Sequence, residues 1–345
     1  MIYFRSDYSQ GAHPKVLEAL TRTNLEHTDG YGMDEHCFHA EKMIQDVIGN
    51  PDCKVHMMVG GTPCNVTFIA AALKPYESVI SPRTGHIYTH ETGAVEGTGH
   101  RIVAMEGVNG KITPELIDKA WQEFDDEHTA KPGMVYISQP TEIGSIYSKA
   151  EMTAISDKCK EKGLLLYVDG ARLGTALTAN ANDLSIQELA KLCDAFYLGG
   201  TKNGALLGEA LVIQNPEINE DFRWMIKRQC GMLAKGRLIG AQFETLLEGG
   251  EQSLYFEMAR HANEMAEKLK KGLMDLGVSF YSDSQTNQLF PILPAAVVKE
   301  LEKDFFFYEW APEKDGMIAI RLVTGWGTSE SDVDALLSAL QKLMA

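Results

Sequence analysis

The sequence lacks the features that mark membrane, secreted and nucleic-acid-binding proteins. No apolar run is long enough to span a bilayer, and the opening residues MIYFRSDYSQ have no apolar stretch of the kind that a signal peptide needs. Lysine and arginine (32) are outnumbered by aspartate and glutamate (48), so the formal net charge is −16. Since nucleic acids and anionic membranes attract basic surfaces, neither is an expected partner.

Cysteine is scarce, and its spacing carries no metal or disulfide signature. The six cysteines include no CxxC pair, so neither a zinc ribbon nor a disulfide framework is indicated. We therefore expect reduced thiols in a cytoplasmic protein. His86 and His90 are spaced as neighbours on a helix, but no third metal ligand accompanies them, and we predict chemistry without a metal ion.

What the sequence does contain is a regular alternation of strands and helices. Short β-like runs lie at 55–59, 78–81, 101–104, 134–138, 164–168, 195–198 and 210–214. Helical patterns separate most of them, which predicts an α/β fold with a mostly parallel, seven-stranded sheet and helices on both faces. Only a turn separates the last two runs, so the final strand is predicted to run antiparallel to its predecessor.

The pattern changes near residue 246, where a long amphipathic helix is expected. A strand-rich stretch follows, with a strand at 317–323 and a final helix from about Ser331. These changes predict a large domain over 26–245 and a smaller α+β domain over 246–345. Residues 1–25 are expected to form an arm that packs with the small domain or with a neighbouring subunit.

Three loops carry residues suited to chemistry, and each is expected at the carboxyl edge of the sheet, where open α/β folds bind ligands. The first loop is Val59-Gly-Gly-Thr-Pro-Cys-Asn65. Its glycines precede a helix start, where free backbone N–H groups suit a phosphate. A plain tight turn also fits the motif. A nucleotide-binding protein is a further alternative, although no G-x-G-x-x-G or Walker loop is present.

The second loop follows the apolar run that ends at Asp169, so this carboxylate is expected at the rim of the sheet. A carboxylate there could keep a pyridine nitrogen protonated. Arg172, three residues later, could grip a substrate carboxylate through two parallel hydrogen bonds. A local Asp–Arg salt bridge or a helix cap is an equally good interpretation of this loop alone.

The third loop holds Thr201 and Lys202 in a glycine-rich turn directly after a strand. A desolvated lysine could form a Schiff base there, and the Thr201 hydroxyl could bind a phosphate. An exposed turn lysine is the alternative. The order of the three loops, with the lysine 33 residues after the aspartate, is far more specific than any one of them.

With these loops in this order, the chain resembles the low-specificity threonine aldolases, within the β-eliminating-lyase group of fold-type-I enzymes that use pyridoxal 5′-phosphate (PLP). The matching segments are Phe4-Arg-Ser-Asp7, Gly30-Tyr-Gly-Met-Asp34, Gly61-Thr62, Asp169-Gly-Ala-Arg172, Thr201-Lys202 and Arg321-Leu-Val-Thr324. The segments Pro140-Thr-Glu-Ile-Gly-Ser-Ile-Tyr147 and Gly200-Thr-Lys-Asn-Gly204 are similar to the phenylserine-aldolase-like branch.

The resemblance implies a role for each matching residue. Lys202 would hold PLP as a Schiff base, Asp169 would face the pyridine nitrogen, and His86 would stack on the ring. The other implied cofactor contacts are Gly61, Thr62, Arg172, Thr201 and, from a second subunit, Arg237. The implied substrate contacts are Ser6, Tyr31, Arg172 and Arg321. The family also implies a homotetramer, built from dimers that share their active sites.

The implied reaction is reversible cleavage of a β-hydroxy-α-amino acid, of the L-threonine, L-allo-threonine or phenylserine type, to glycine and an aldehyde. Glu142 stands where threonine aldolases commonly carry a histidine that handles the β-hydroxyl. It could be the catalytic base if an apolar site raises its pKa, or a structural residue bonded to backbone. β-Elimination, transamination and a non-catalytic PLP-fold protein stay open as alternatives.

Overall fold

Strands and helices alternate along the chain in the computed structural model, which describes residues 1–124 and 126–344. The strands in these ranges are β1 (Ile2–Tyr3), β2 (Lys54–Met58), β3 (Glu77–Pro82), β4 (Arg101–Met105), β5 (Lys131–Ser138), β6 (Leu165–Asp169), β7 (Ala195–Gly199), β8 (Glu209–Ile213), β9 (Ser279–Phe280), β10 (Gln288–Leu289), β11 (Pro291–Pro294), β12 (Phe305–Phe306), β13 (Tyr308–Lys314) and β14 (Met317–Val323). The helices are α1 (Pro14–Thr23), α2 (Glu35–Ile48), α3 (Gly61–Ala72), α4 (His86–Thr89), α5 (Pro114–Phe124), α6 (Lys149–Lys162), α7 (Leu173–Leu177), α8 (Ile186–Leu192), α9 (Pro216–Asn219), α10 (Phe222–Arg228), α11 (Arg237–Leu247), α12 (Leu254–Asp275), α13 (Ala295–Leu301) and α14 (Glu330–Met344).

Seven strands of the described residues form the largest sheet, in the order β2-β8-β7-β6-β5-β3-β4. β8 is antiparallel to both of its neighbours, β2 and β7, and the other pairs in this sheet are parallel. The predicted α/β fold, with a mostly parallel sheet and one reversed strand, is therefore confirmed. Every residue of β7 and of β8 is buried, as expected for strands covered on both faces.

A second, antiparallel sheet of the described residues has the order β10-β14-β11-β9, with β13 paired to β14. The N-terminal strand β1 pairs with β12, and Phe4 is buried in the apolar core beneath this sheet, which includes Leu269, Leu322 and Leu336. The strand predicted at 317–323 is β14. The division into domains at residue 246 stays a prediction.

Two glycines bring the ends of β6 and β7 together. A Cβ added to Gly170 would lie 1.7 Å from the carbonyl oxygen of Tyr197, and one added to Gly199 would lie 2.2 Å from that of Ala171. Only glycine allows the two backbones to approach so closely. The loop that begins at Asp169 is thereby held beside the turn that carries Lys202.

Two further features bear on the sequence predictions. Among the described helices, none is both long and apolar enough to cross a membrane. All six cysteines are free thiols, and only Cys230 is exposed.

Candidate active site

Five of the predicted site residues line one cavity of about 540 Å³. They follow different strands of the central sheet or lie on β14, and they are His86, Glu142, Arg172, Lys202 and Arg321. The rest of the lining is Tyr8, His90, Gln288, Tyr308, Glu309 and Trp310. The parallel strands end at one edge of the sheet, so side chains that are distant in sequence meet there.

Lys202 lies in the turn between β7 and β8. The hydroxyl of Thr201 accepts a hydrogen bond from the backbone N–H of Gly208 at 3.0 Å, which closes the turn. Burial and the positive charge of Arg172 lower the pKa of Lys202. A larger fraction of its amine is therefore unprotonated than in an exposed lysine, as a nucleophile requires.

Asp169 ends β6 and is buried. One carboxylate oxygen accepts hydrogen bonds from the Tyr136 hydroxyl (2.6 Å) and the Asn65 amide (3.0 Å). The other accepts from the Tyr197 hydroxyl and from the backbone N–H of Ala171. Burial opposes ionisation, but the charge of His86 and the two tyrosine hydrogen bonds outweigh it and lower the pKa of Asp169. The result is a fixed, buried anion.

The first glycine loop reaches the same network. α3 begins at Gly61, and its cap residue Gly60 makes no side-chain hydrogen bond to the first turn. Backbone N–H groups there are free of a side-chain cap and suit an anion. A Cβ on Gly61 would lie 2.9 Å from the Tyr197 hydroxyl, which is the group that bonds Asp169.

Arg172 makes its two-bond contact inside the protein. Its Nε and Nη2 atoms donate to the two carboxylate oxygens of Asp7, at 2.6 and 3.0 Å, and Asn287 donates to Asp7 at 2.9 Å. The sequence predicts that Arg172 holds a substrate carboxylate through two parallel hydrogen bonds, with a salt bridge to Asp169 or a helix cap as the alternatives. In this structure Asp7 occupies one edge of the guanidinium, so Nη1 and the second N–H of Nη2 are left for a further acceptor.

Arg321 is held by aromatic rings. It lies opposite Tyr308 in the β13–β14 pair, with its guanidinium carbon 5.0 Å from the Tyr308 ring centre and 5.5 Å from that of Trp310. Its Nε is buried without a hydrogen-bond partner among the described residues. Burial and the charge of Arg172 lower its pKa. Its Nη2 donates only a long hydrogen bond, of 3.5 Å, to the Arg5 carbonyl. With Nε unpartnered, Arg321 is suited to bind an anion such as a carboxylate.

The two carboxylate oxygens of Glu142 have different surroundings. One carboxylate oxygen accepts from the His86 backbone N–H (2.9 Å) and from the Ser138 hydroxyl (2.6 Å). The other is buried and has no partner among the described residues. Burial raises the pKa of Glu142. One oxygen anchors the loop, and the other is available to accept a proton.

Seven of the predicted site residues lie outside the cavity lining of this single chain. Ser6 bonds Ser9 and lines a neighbouring surface pocket. Tyr31 is exposed and packs against the Lys227 ammonium. The guanidinium of Arg237 donates to backbone carbonyls at the end of α1. Gly61, Thr62, Asp169 and Thr201 also do not line the cavity. The roles of all these residues stay predictions.

Sequence reasoning gave no role to Asp7, Glu91, Tyr136, Tyr197, Tyr308 and Trp310. Asp7 lies within a matching segment, but its partner Arg172 is 165 positions away, and no local pattern indicates that pair. The tyrosines of β5 and β7 look like ordinary core residues in an apolar run. Only the fold shows that their hydroxyls reach Asp169.

Comparisons with known proteins agree with this geometry. The family model described as beta-eliminating lyase matches residues 3–296. The chain is 31% identical to the low specificity L-threonine aldolase of a Pseudomonas species, over 99% of this chain and 98% of that protein. A solved structure of Leishmania major threonine aldolase superposes with a TM-score of 0.98 at 43% identity, covering 100% of both chains. A Thermus thermophilus aspartate aminotransferase double mutant superposes with a TM-score of 0.76 at 17% identity, over 99% of this chain and 91% of that one, which shows a shared fold alone.

Proposed function

Because the chain belongs to the beta-eliminating lyase family, we propose that it is a PLP-dependent aldolase that cleaves β-hydroxy-α-amino acids of the threonine type to glycine and an aldehyde. This is the family that the sequence motifs predict. The observation that carries the proposal is the single cavity in which Lys202, two arginines and Glu142 face one another. The two arginines suit the carboxylate of an amino acid, and Glu142 suits its β-hydroxyl.

The residues present fit PLP. Asp169 is a buried anion that can pair with a protonated ring nitrogen, and Lys202 offers an amine of lowered pKa. Lys202 would hold the cofactor through that amine, and His86 would stack on the ring. Gly61, Thr62 and Thr201 would hold the phosphate. When bound, PLP supplies an electron sink for the electron pair released at the substrate Cα.

The chain's own residues then orient the substrate and move one proton. Arg321, with the N–H groups of Arg172 that do not bond Asp7, binds the carboxylate and fixes the rest of the molecule relative to the ring. The unpaired oxygen of Glu142 takes the proton of the β-hydroxyl as the aldehyde forms. Its raised pKa makes it a stronger base than an exposed glutamate.

A substrate panel tests the reaction. Purified, PLP-loaded protein is offered L-threonine, L-allo-threonine and phenylserine, and glycine and aldehyde are both measured. We expect the two products in equal amounts. Pyruvate with ammonia would instead indicate β-elimination, and a keto acid would indicate transamination. A protein that shows no borohydride-reducible visible chromophore would not be a PLP enzyme at all.

Glu142→Gln tests the base. Glutamine can keep both hydrogen bonds of the anchoring oxygen, so the loop is expected to fold normally, but it cannot accept a proton. We expect kcat to fall about 10²-fold. In the unmodified enzyme, activity should drop as pH falls through the raised pKa of Glu142, since the protonated acid is inactive as a base. This acidic limb should disappear in the variant.

The matched control for Glu142→Gln is Glu106→Gln, a change at an exposed glutamate that should alter neither kcat nor the pH profile. Steady-state rates between pH 5 and 9 give both quantities. A Glu142→Gln enzyme that keeps its acidic limb and most of its kcat would assign the base to another residue.

We also propose a cytoplasmic homotetramer, a dimer of dimers in which Tyr31 and Arg237 serve the partner's active site. Large apolar side chains exposed on the single chain support an interface, because contiguous exposed apolar surface marks association sites. They include Leu25, Tyr31, Met33, Phe38 and Trp224. Sedimentation equilibrium measures the mass, and a monomer would contradict the shared site.

A further inference from the structure

Beside the cavity, a second carboxylate is completely shielded from solvent. Glu91 follows the short helix α4, and its side chain has 0% exposure. One oxygen is 2.8 Å from Nδ1 of His86 and accepts a hydrogen bond from the Asn65 amide at 2.7 Å. The other oxygen has no partner among the described residues. A buried carboxylate is unfavourable unless a positive charge or several hydrogen bonds compensate for it.

The contacts of Glu91 continue to the aspartate of the site. The same Asn65 nitrogen that donates to Glu91 also donates to Asp169, at 3.0 Å. The amide has one favourable orientation, because a flip would set its oxygen against both carboxylates. In this orientation its oxygen accepts from the Tyr167 hydroxyl at 3.0 Å. One amide group therefore ties together two buried carboxylates, and the ring of His86 is the positive group that acts on both.

We propose that Glu91 is the positioning residue for His86: it accepts a hydrogen bond from Nδ1–H and so turns Nε2 toward the cavity. The importance of this positioning for catalysis rests on the proposed function, in which His86 stacks on the cofactor. Without this contact, the His86 ring could rotate about its side-chain bonds, and either nitrogen could face the cavity. The hydrogen bond to Glu91 selects one tautomer and one orientation of the ring. Carboxylates that bond the second ring nitrogen of metal-bound histidines have the same effect.

Neighbouring charges both raise and lower the pKa of His86. Burial disfavours the charged ring, but the Glu91 hydrogen bond and the charges of Asp169 and Glu91 outweigh it and raise the pKa of His86, while Lys202 opposes them. His90, with its ring centre 5.5 Å away, and Glu142, bonded to the His86 backbone, are the other titratable neighbours. Removing the charge of Glu91 should therefore lower the pKa of His86.

Glu91→Gln tests the proposal, with Glu96→Gln as its control. Glu96 is exposed and five residues away, so both variants lose the same charge from the same segment. ¹⁵N-histidine-labelled, PLP-loaded protein is titrated by NMR, and His86→Gln identifies the His86 signals. We expect the His86 pKa to fall by about one unit in Glu91→Gln and kcat/KM to fall about tenfold. Neither should change in Glu96→Gln. Identical titrations in both variants would overturn the proposal.

The unmodified protein provides a test that does not depend on a variant folding. Above the His86 pKa, the nitrogen shifts show which ring nitrogen keeps its proton, and we expect Nδ1. A proton on Nε2 alone would overturn the proposal. Because these spectra need no turnover, they separate the two hypotheses. If the protein were inactive on every amino acid, the aldolase proposal would be refuted. The spectra would still decide whether Glu91 positions His86.

Discussion

Lys202→Ala is expected to fold but to form no glycine from any β-hydroxy-α-amino acid. The substitution removes the amine that is proposed to hold PLP, from a buried lysine of lowered pKa that lines the cavity. Loss of a covalent catalytic group lowers kcat by about 10⁴-fold or more in comparable enzymes. The variant should also lack a visible chromophore that borohydride can fix to the protein.

Two measurements check this result. Glycine release is followed with phenylserine and L-threonine, and circular dichroism confirms that the fold is retained. Lys191→Ala, at an exposed lysine on α8, is the control and should behave as the unmodified enzyme. Normal glycine production by purified Lys202→Ala would remove Lys202 from the mechanism and with it the proposed function.

Asp169→Asn should have the next largest effect, a loss of about 10³-fold in kcat, which is the scale of removing one preorganised electrostatic group. Asparagine is neutral and cannot keep a ring nitrogen protonated. Its NH₂ group also cannot accept the hydrogen bonds that Tyr136 and Tyr197 donate to the two carboxylate oxygens. One tyrosine hydroxyl would lose its acceptor, so we expect lower stability as well.

The measurements for Asp169→Asn are kcat with phenylserine and the urea midpoint of unfolding. Asp169→Glu keeps the charge and should recover part of the rate. Asp157→Asn, at an exposed position on α6, is the matched control. A kcat within threefold of the unmodified enzyme would show that Asp169 does not face the cofactor.

The central sheet could be predicted from the sequence because its inner strands, such as β7 and β8, are buried on both faces and form continuous apolar runs. The errors have local causes. β5 begins at Lys131 rather than at the predicted 134, since Lys131-Pro-Gly133 has the composition of a turn and becomes a strand only by pairing with β3. β9, β10 and β12 have two residues each, which is too short for any periodicity to show.

In the candidate site, the residues that follow a strand could be predicted from the sequence. The contacts between these residues could not. Asp169 is recognisable because it ends an apolar run, and Lys202 because it lies in the glycine-rich turn that follows one. The pairing of Arg172 with Asp7 is not, because it depends on where the N-terminal segment packs. The stacking of Arg321 on Tyr308 similarly depends on the register of β13 against β14. Local patterns specify candidates, and tertiary packing selects their partners.

The position of the N-terminal segment sets an order for assembly during synthesis. β1 and Asp7 leave the ribosome before the central sheet does, yet β1 pairs with Phe305–Phe306, and the Phe4 carbonyl accepts from the Val323 N–H. Both partners emerge some three hundred residues later, and pairing across such a separation is slow. β1 and Asp7 are thus translated before the central sheet but reach their places after it has been made. A ribosome-bound chain that ends before β12 can contain the whole central sheet and still lack the docked strand beside Asp7.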